Sequence, residues 1–251
     1  MMRRFSFLVV AVVLASLALV RGQTPGPSPD SPAATFIPWL MEGKEEMNQV
    51  PFSDVILYAT GKKVLGINCE DEADQRVLKQ VGGALDEVLK RMNAADSPVQ
   101  SVARINEVSA PFENMIREVL NGVDGFTCDF AKTAVEKVQR SGYPDLQLTD
   151  TATKRIYYMD PKLYAKGSRD SSFRSFYFEP KVATNKVRDD AVHLILGIEH
   201  DGRQAGHWSF TRWEIVDLAK FKVRLKAEFQ GSNRDMYRAE AIVATGAARD
   251  E

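Results

Sequence analysis

Residues that usually mark metal, thiol or nucleotide chemistry are scarce in this chain of 251 residues, which has 2 cysteines and 3 histidines. His200 and His207 flank a glycine-containing turn, but no thiol lies nearby and their spacing does not form a zinc signature. There is no Walker-type or dinucleotide-type glycine-rich loop, no Gly-x-Ser-x-Gly turn and no His-Glu-x-x-His pair. The missing motifs therefore argue against assignment to the common nucleotide-binding, serine-hydrolase and zinc-protease classes.

Long apolar runs are also lacking, with one exception at the N-terminus. Residues 1–4 include two arginines, and a nearly unbroken apolar run follows over residues 5–20. Small residues around Gly22 offer a cleavage site, so we predict a removable export signal over residues 1–22, with the mature chain starting near Gln23. The alternative is an uncleaved anchor, but the run is shorter than the ~20 residues that a spanning helix prefers. We expect a periplasmic or extracellular protein with no stable membrane insertion.

Cysteine usage and charge give two further indications. In an exported protein Cys69 and Cys128 could form one disulfide, or they could be two buried thiols, and the sequence leaves both readings open. The net charge is −1, but it is unevenly distributed: residues 36–130 hold 9 Lys/Arg against 16 Asp/Glu, and residues 131–238 hold 20 against 14. The basic half suits a phosphate-backbone binder, although a solvated mixed surface has the same composition.

The pattern before residue 97 predicts a small N-terminal α/β elaboration without chemistry. Residues 23–35 are rich in Pro, Ser and Gly and predict a flexible linker. Residues 54–59 and 63–67 read as two strands of a hairpin around Gly61. Apolar residues at helical spacing then predict a helix over residues 72–93. We therefore assign residues 36–96 to this hairpin-helix elaboration, residues 97–245 to a core domain and residues 246–251 to a frayed tail.

Within the core, the pattern alternates between helical and extended segments. Ser109 is placed to cap a helix over residues 111–121, and a second helix is predicted over residues 128–140. His193 falls inside an apolar run that fits a buried strand, and we interpret it as a core histidine. Strands are predicted over residues 173–178, 192–198, 208–218 and 221–229, the last with Lys222, Arg224 and Lys226 on its outer face, and more weakly over residues 236–245.

The segment from Tyr143 to Lys162 predicts the functional site. Two apolar arms around a turn-like stretch read as a β-hairpin in which Leu148 pairs with Tyr157, so that Asp145 lies opposite Asp160. Opposed side chains on paired strands are roughly 5 Å apart at Cβ. Two carboxylates at that distance repel each other unless a cation lies between them. The pattern therefore predicts a metal site, with Lys162 on the same face.

These residues resemble the signature of the PD-(D/E)XK nuclease superfamily, which includes many type II restriction endonucleases. The matching residues are Pro144-Asp145 and Asp160-Pro161-Lys162, and the order of elements agrees over roughly residues 100 to 240. The resemblance implies an α/β (α+β) fold with a restriction-endonuclease-like core, in which helices flank a mixed β-sheet. It also implies Mg²⁺- or Mn²⁺-dependent hydrolysis of DNA that leaves 5′-phosphates.

The same resemblance implies a role for each residue. Asp145, Asp160 and the backbone carbonyl of Pro161 would bind the metal, and Lys162 would act on the attacking water. A second acidic-x-Lys sequence, Glu179 to Lys181, is an alternative to the Asp160–Lys162 pair. A glutamate from the preceding helix would complete the site, and Glu113 or Glu118 could match it. Glu113 could hold a second metal or a water, or it could be a carboxylate on the helix surface.

Lysines and arginines after the hairpin are candidates for contact with DNA. The loop beyond Lys162 carries Lys166, Arg169 and Arg174, which could touch phosphates or could simply be solvated. Endonucleases that cleave palindromic sites are often dimers, so the chain could form a homodimer. Two further interpretations remain open: a nuclease-like domain that binds without cutting, and an unrelated exported α+β binding protein of the cell envelope.

Overall fold

The computed structural model describes residues 32–43, 47–172 and 175–246. The predicted signal at residues 1–22, most of the predicted linker and residues 247–251 of the predicted tail lie outside this description. The end of the predicted linker is helical instead: α1 (Pro32–Glu42) starts with a proline, which a first helical turn tolerates, followed by two alanines. Helix α1 belongs to a unit that ends at Lys44, separate from residues 45–251. In the described ranges no helix is both long enough and apolar enough to cross a bilayer.

A six-stranded mixed sheet forms the centre of residues 45–251. Its strands are β2 (Val64–Leu65), β3 (Phe126–Phe130), β4 (Leu146–Asp150), β5 (Ile156–Ala165), β6 (Ala191–Gln204) and β7 (His207–Asp217). The spatial order is β2-β6-β5-β4-β3, and β7 pairs with β6. The β5–β6 and β2–β6 pairs are parallel, whereas the remaining pairs are antiparallel. A separate two-stranded sheet joins β1 (Val50–Pro51) to β8 (Lys222–Val223).

Helices cover both faces of the central sheet. Helices α3 (Glu72–Asn93) and α4 (Ile105–Asn121) pack on the face that carries Leu146, Leu148, Tyr157 and Met159. Helix α2 (Phe52–Thr60) packs on the opposite face against Tyr158. Burying one large apolar side chain stabilises the fold by about 1.5–3 kcal/mol. The alternation of apolar residues along each strand therefore determines which face of the sheet packs against which helices. The remaining elements are α5 (Asn233–Met236) and short 3-10 turns at Pro98–Ser101, Leu218–Lys220 and Ala239–Ala241.

The predicted central hairpin is confirmed, including its register. Leu146 pairs with Met159 and Leu148 pairs with Tyr157, and these four side chains are fully buried. The predicted helix over residues 72–93 is also confirmed, and Asp71 caps it by accepting a hydrogen bond from the Asp74 amide at 3.0 Å. The predicted central strand over residues 192–198 lies inside β6, and the predicted strand over residues 208–218 corresponds to β7.

The predicted N-terminal hairpin is wrong. Residues 52–60 form helix α2, whose buried side chains Phe52 and Ile56 stand one helical turn apart. Gly61 has a φ of 72° and ends the helix in the left-handed conformation, which glycine adopts without strain. A short continuous apolar run does not distinguish a strand from a buried helix, which explains the error. Helix α3 and later strands share one core, so packing crosses the boundary predicted at residues 96 and 97.

The predicted helix over residues 128–140 is also wrong. Residues 126–130 form β3, which pairs with β4 along its whole length. Phe126 and Cys128 are buried while Thr127 and Asp129 are exposed, which is the period of two of a β-strand. Pairing with β4 satisfies the backbone hydrogen bonds of the segment and stabilises the strand over a helix. The helix predicted from Pro111 begins earlier, at Ile105, because Val108 also belongs to its buried face.

Strands predicted near the C-terminus are mostly absent from the described residues. Residues 175–178 have no regular structure, and residues 173–174 lie outside the description. Of the strand predicted over residues 221–229, only Lys222–Val223 pairs in a sheet, because Leu225 and Phe229 find no core and stay exposed. Within residues 236–245, Met236 ends α5, residues 239–241 form a 3-10 turn and residues 242–245 have no regular structure. The two cysteines are unpaired, with Cys69 exposed and Cys128 buried.

Candidate active site

The hairpin brings Asp145 and Asp160 together. The Leu146–Met159 pair continues by one step to place Asp145, just before β4, opposite Asp160 in β5. The two carboxyl groups lie close enough for Asp160 to act on the pKa of Asp145. Asp160 is 3% exposed, and one of its oxygens, Oδ2, is in ion-pair contact with Lys162 Nζ. Lys162 is two residues along β5, so the alternation of the strand places it on the same face.

Positive charge from Lys162 only partly offsets the burial of the carboxyl pair. Burial, followed by the charge and hydrogen bond of Asp160, raises the pKa of Asp145 to about 8, although Lys162 acts in the opposite direction. Despite its contact with Lys162, Asp160 Oδ2 accepts no hydrogen bond from any described residue. Hard divalent cations prefer oxygen ligands of this kind, so the donor set fits Mg²⁺ or Mn²⁺.

Other protein ligands for a metal are sparse near this pair. Among the described residues, no group of three His, Cys, Asp or Glu side chains could hold a metal ion. Mg²⁺ usually keeps several waters and takes one or two protein carboxylates together with substrate oxygens. Two carboxylates and a neighbouring carbonyl, such as that of Pro161, are therefore enough protein ligands for Mg²⁺, and waters and substrate oxygens would supply the others.

Helix α4 places Glu113 near the pair, but another residue already binds its carboxylate. Glu113 is 8% exposed, and its negative charge contributes to the raised pKa of Asp145. Arg140 Nη2 donates a hydrogen bond to Glu113 Oε2 at 2.7 Å. The second candidate, Glu118, is exposed and pairs with Arg91 of α3 at 3.0 Å. Of the two glutamates, the fold brings Glu113 to the site.

Lys186 is a charged neighbour of the site that the sequence analysis missed. It is 2% exposed, and its ammonium group donates one hydrogen bond, to the carbonyl of Gln139 at 3.1 Å. Burial lowers its pKa, while the charges of Asp145, Asp160 and Glu113 act in the opposite direction. Its loop connects to β6, and no local pattern marks a lysine in a polar loop as buried. Only its position in the fold identifies it.

Two buried rings support the segment that leads into Asp145. The Tyr143 hydroxyl lies 2.6 Å from Nδ1 of His193, and the two rings stack. Burial lowers the pKa of His193 to about 4, so the imidazole is neutral at pH 7. Its Nε2 atom has no hydrogen-bond partner among the described residues. His193 is therefore a core residue, as predicted, with one ring nitrogen left unsatisfied.

The alternative Glu179–Lys181 pair lies on the surface, in a cleft that Tyr143 at the start of the hairpin also lines. Both residues are exposed, and Lys181 Nζ lies 2.8 Å from Glu179 Oε2. Glu179 also accepts a hydrogen bond from the Tyr177 hydroxyl at 3.0 Å. The hairpin register places Asp160, and not Glu179, opposite Asp145.

The basic loop beyond β5 is on the surface. Lys166 Nζ lies 3.6 Å from Asp201 Oδ1, and Arg169 Nη2 lies 3.0 Å from Glu214 Oε1. Both basic side chains are more than half exposed, so these surface ion pairs contribute little to stability. Arg174 lies outside the described residues.

The architecture is a restriction-endonuclease-like α+β fold, with a mixed sheet between helices and an acidic pair across the β4–β5 hairpin. The chain belongs to the Type II restriction enzyme MjaV family, whose model matches residues 45–240. It is similar to the Type II restriction enzyme MjaV of Methanocaldococcus jannaschii, with 29% identity over 211 residues that cover 79% of this chain and 90% of that protein. The family match contains every candidate site residue and begins after the predicted signal.

Proposed function

We propose that this protein is a divalent-metal-dependent endonuclease that hydrolyses phosphodiester bonds of DNA, and that its site is of the PD-(D/E)XK type. The observation that carries the proposal is the pair Asp145 and Asp160, opposed across the hairpin with Lys162 in contact with Asp160. Membership of a restriction enzyme family supports the same chemistry. A buried pair of carboxyl groups is costly unless a cation or a proton lies between them, which favours a metal-binding role.

Each polar residue of the hairpin has its own role in the proposed hydrolysis. Asp145, Asp160 and the Pro161 carbonyl would hold Mg²⁺ or Mn²⁺, which when bound neutralises phosphate charge and lowers the pKa of a water. Lys162 orients the attacking water and offsets negative charge that develops on the phosphate. Glu113 stays with Arg140 and adds negative charge beside the pair. The products would carry 5′-phosphates.

Contact with DNA is assigned to the surface beyond β5. Lys166, Arg169 and Arg174 would bind backbone phosphates, which fix position without reading sequence. Surface ion pairs of the kind made by Lys166 and Arg169 exchange readily for phosphate contacts. Cutting both strands of a palindromic site would use two copies of the chain, so we expect a homodimer on DNA. Light scattering of the complex with uncleaved duplex would measure this.

The test of function is cleavage of supercoiled plasmid by the full chain with Mg²⁺, Mn²⁺ or EDTA. Asp145→Asn and Asp160→Asn remove charge with little change of shape, and we expect each to lower the rate by about a hundredfold or more. Glu179→Gln is the matched control and keeps wild-type activity. Loss of cutting in Glu179→Gln with Asp160→Asn still active would move the site to the second acidic-x-Lys pair. Metal-independent or absent cutting would favour a binding role.

We further propose that residues 1–22 direct export and are removed. The support is the basic start, the apolar run and the small residues before Gln23. N-terminal sequencing of protein recovered from the cell and from outside it would decide the matter. A start at Gln23 in the exported fraction supports the proposal, and an intact Met1 in protein that stays in the cytoplasm overturns it.

A further inference from the structure

A groove of about 920 Å³ lies beside the two-stranded sheet, outside the acidic site. Eight of its eleven lining residues carry an ammonium, guanidinium, hydroxyl or amide group, and none is Asp or Glu. Its lining includes Lys222, Arg224 and Lys226 from one segment of the chain, and Ser171, Ser172 and Ser175 from another. These are the side-chain types that proteins use to contact phosphate and sugar.

Alternation along one extended segment points the basic groups into the groove. Phe221 and Val223 pack on the core beside α2, so Lys222 and Arg224 face outward and are exposed. The extended path continues past β8, because the Leu225 amide donates to the Met47 carbonyl at 2.9 Å. Side chains two residues apart on such a segment are roughly 6.5–7 Å apart. Regular spacing of positive charge suits a polyanion with regularly spaced phosphates.

Ring contacts link the groove lining to Tyr143. Phe176, which lines the groove, has its ring centroid 5.2 Å from that of Phe221, which also lines it, and 5.3 Å from that of Tyr143. Tyr143 lies two residues before Asp145. A polyanion in the groove would therefore lie next to the aromatic cluster that positions the acidic pair.

We propose that this groove binds the sugar-phosphate backbone of the DNA substrate, with Lys222 and Arg224 as the principal cations. The inference rests on the proposed nuclease function and adds a second anchoring surface to it. Lys226 has a smaller share, since Glu228 already pairs with it. Contacts of this kind hold DNA in register over the acidic site without choosing its sequence.

The test is the salt dependence of DNA binding by the full chain in EDTA, where metal-dependent cleavage is blocked. Fluorescence anisotropy of a labelled duplex would be measured across a series of NaCl concentrations. Each phosphate contact contributes about 0.9 to the slope of log K against log salt, so Lys222→Gln/Arg224→Gln should lower the slope by about 1.8. Arg224→Lys keeps the charge and should keep the slope. Lys79→Gln/Lys90→Gln, on the exposed side of α3, is the charge-matched control and should leave the slope unchanged.

The outcomes separate the groove from the nuclease function. An unchanged slope in Lys222→Gln/Arg224→Gln, with folding verified by circular dichroism, overturns the groove even if the wild type cuts DNA. A lowered slope with no cutting by the wild type under any metal supports the groove and overturns the nuclease. A wild type that binds no duplex at low salt overturns the groove, whereas the cleavage assay with metal decides the nuclease function.

Discussion

Arg140 Nη2 lies 2.7 Å from Glu113 Oε2, and the Arg140 guanidinium stands 4.1 Å over the ring of Phe130. The same arginine reaches two more acceptors on α4, the Asn114 side-chain oxygen at 3.0 Å and the Ala110 carbonyl at 3.3 Å. Arg140 therefore ties the loop before the hairpin to the helix that carries the site glutamate. The Glu113 carboxylate lies near Asp145, but it forms an ion pair with Arg140.

This relationship predicts a mild effect of Glu113→Gln on catalysis. Because the Glu113 carboxylate is bound to Arg140, we expect the cleavage rate with Mg²⁺ to fall by no more than about tenfold, against a hundredfold or more for Asp145→Asn. Loss of the charged hydrogen bond should lower the free energy of unfolding by about 1 kcal/mol. Parallel plasmid cleavage and urea unfolding would measure both. A rate as low as that of Asp145→Asn would mean that Glu113 leaves Arg140 to act in the site.

Lys186 should be coupled energetically to the acidic pair. A buried lysine is tolerated when nearby carboxylates compensate its charge. We expect Lys186→Met to cost about 1–3 kcal/mol more stability in the wild type than in the Asp145→Asn/Asp160→Asn background, as measured by urea unfolding in EDTA. Lys181→Met, at an exposed position, is the control and should be additive within about 0.5 kcal/mol. If the effects of Lys186→Met and Asp145→Asn/Asp160→Asn on the free energy of unfolding are additive, the charge of Lys186 does not interact with the Asp145–Asp160 pair.

Asp150, at the end of β4, should contribute to acid sensitivity. Burial by itself would raise its pKa, but hydrogen bonds from Thr153 and Ala152 and the charge of Arg76 outweigh burial and lower it. Its stabilising effect is therefore present above the unfolded pKa of about 3.9 and lost as pH falls through the lower folded value. Asp150→Asn should cost about 1–3 kcal/mol at pH 7. The gap between the two proteins should close in strong acid; a gap independent of pH would refute this assignment.

The two cysteines should differ sharply in reactivity. Burial, with a smaller effect of Asp129, raises the pKa of Cys128 to about 12, so almost no thiolate forms at pH 8. Cys69 is exposed. A thiol reagent at pH 8 should modify one cysteine in the native protein and two after unfolding in urea, without prior reduction. Two thiols that react only after reduction would establish a Cys69–Cys128 disulfide.

The sequence by itself determined the hairpin from Tyr143 to Lys162, its register and the opposition of Asp145 and Asp160. Alternation of apolar residues in two neighbouring arms is local information, and a slip by one residue would expose Leu146 and Leu148. The helix over residues 72–93 was equally predictable, because its apolar stripe recurs over six turns and Asp71 caps it.

Only the tertiary structure decided the short apolar segments and the charged surroundings of the site. Residues 54–59 are compatible with a strand or a helix, and packing of Phe52 and Ile56 on the sheet selects the helix. Residues 126–130 become a strand because β4 offers an edge with which to pair. The burial of Lys186 depends on a loop that returns to the site after a long excursion. Such contacts join residues far apart in the chain, and no local pattern encodes them.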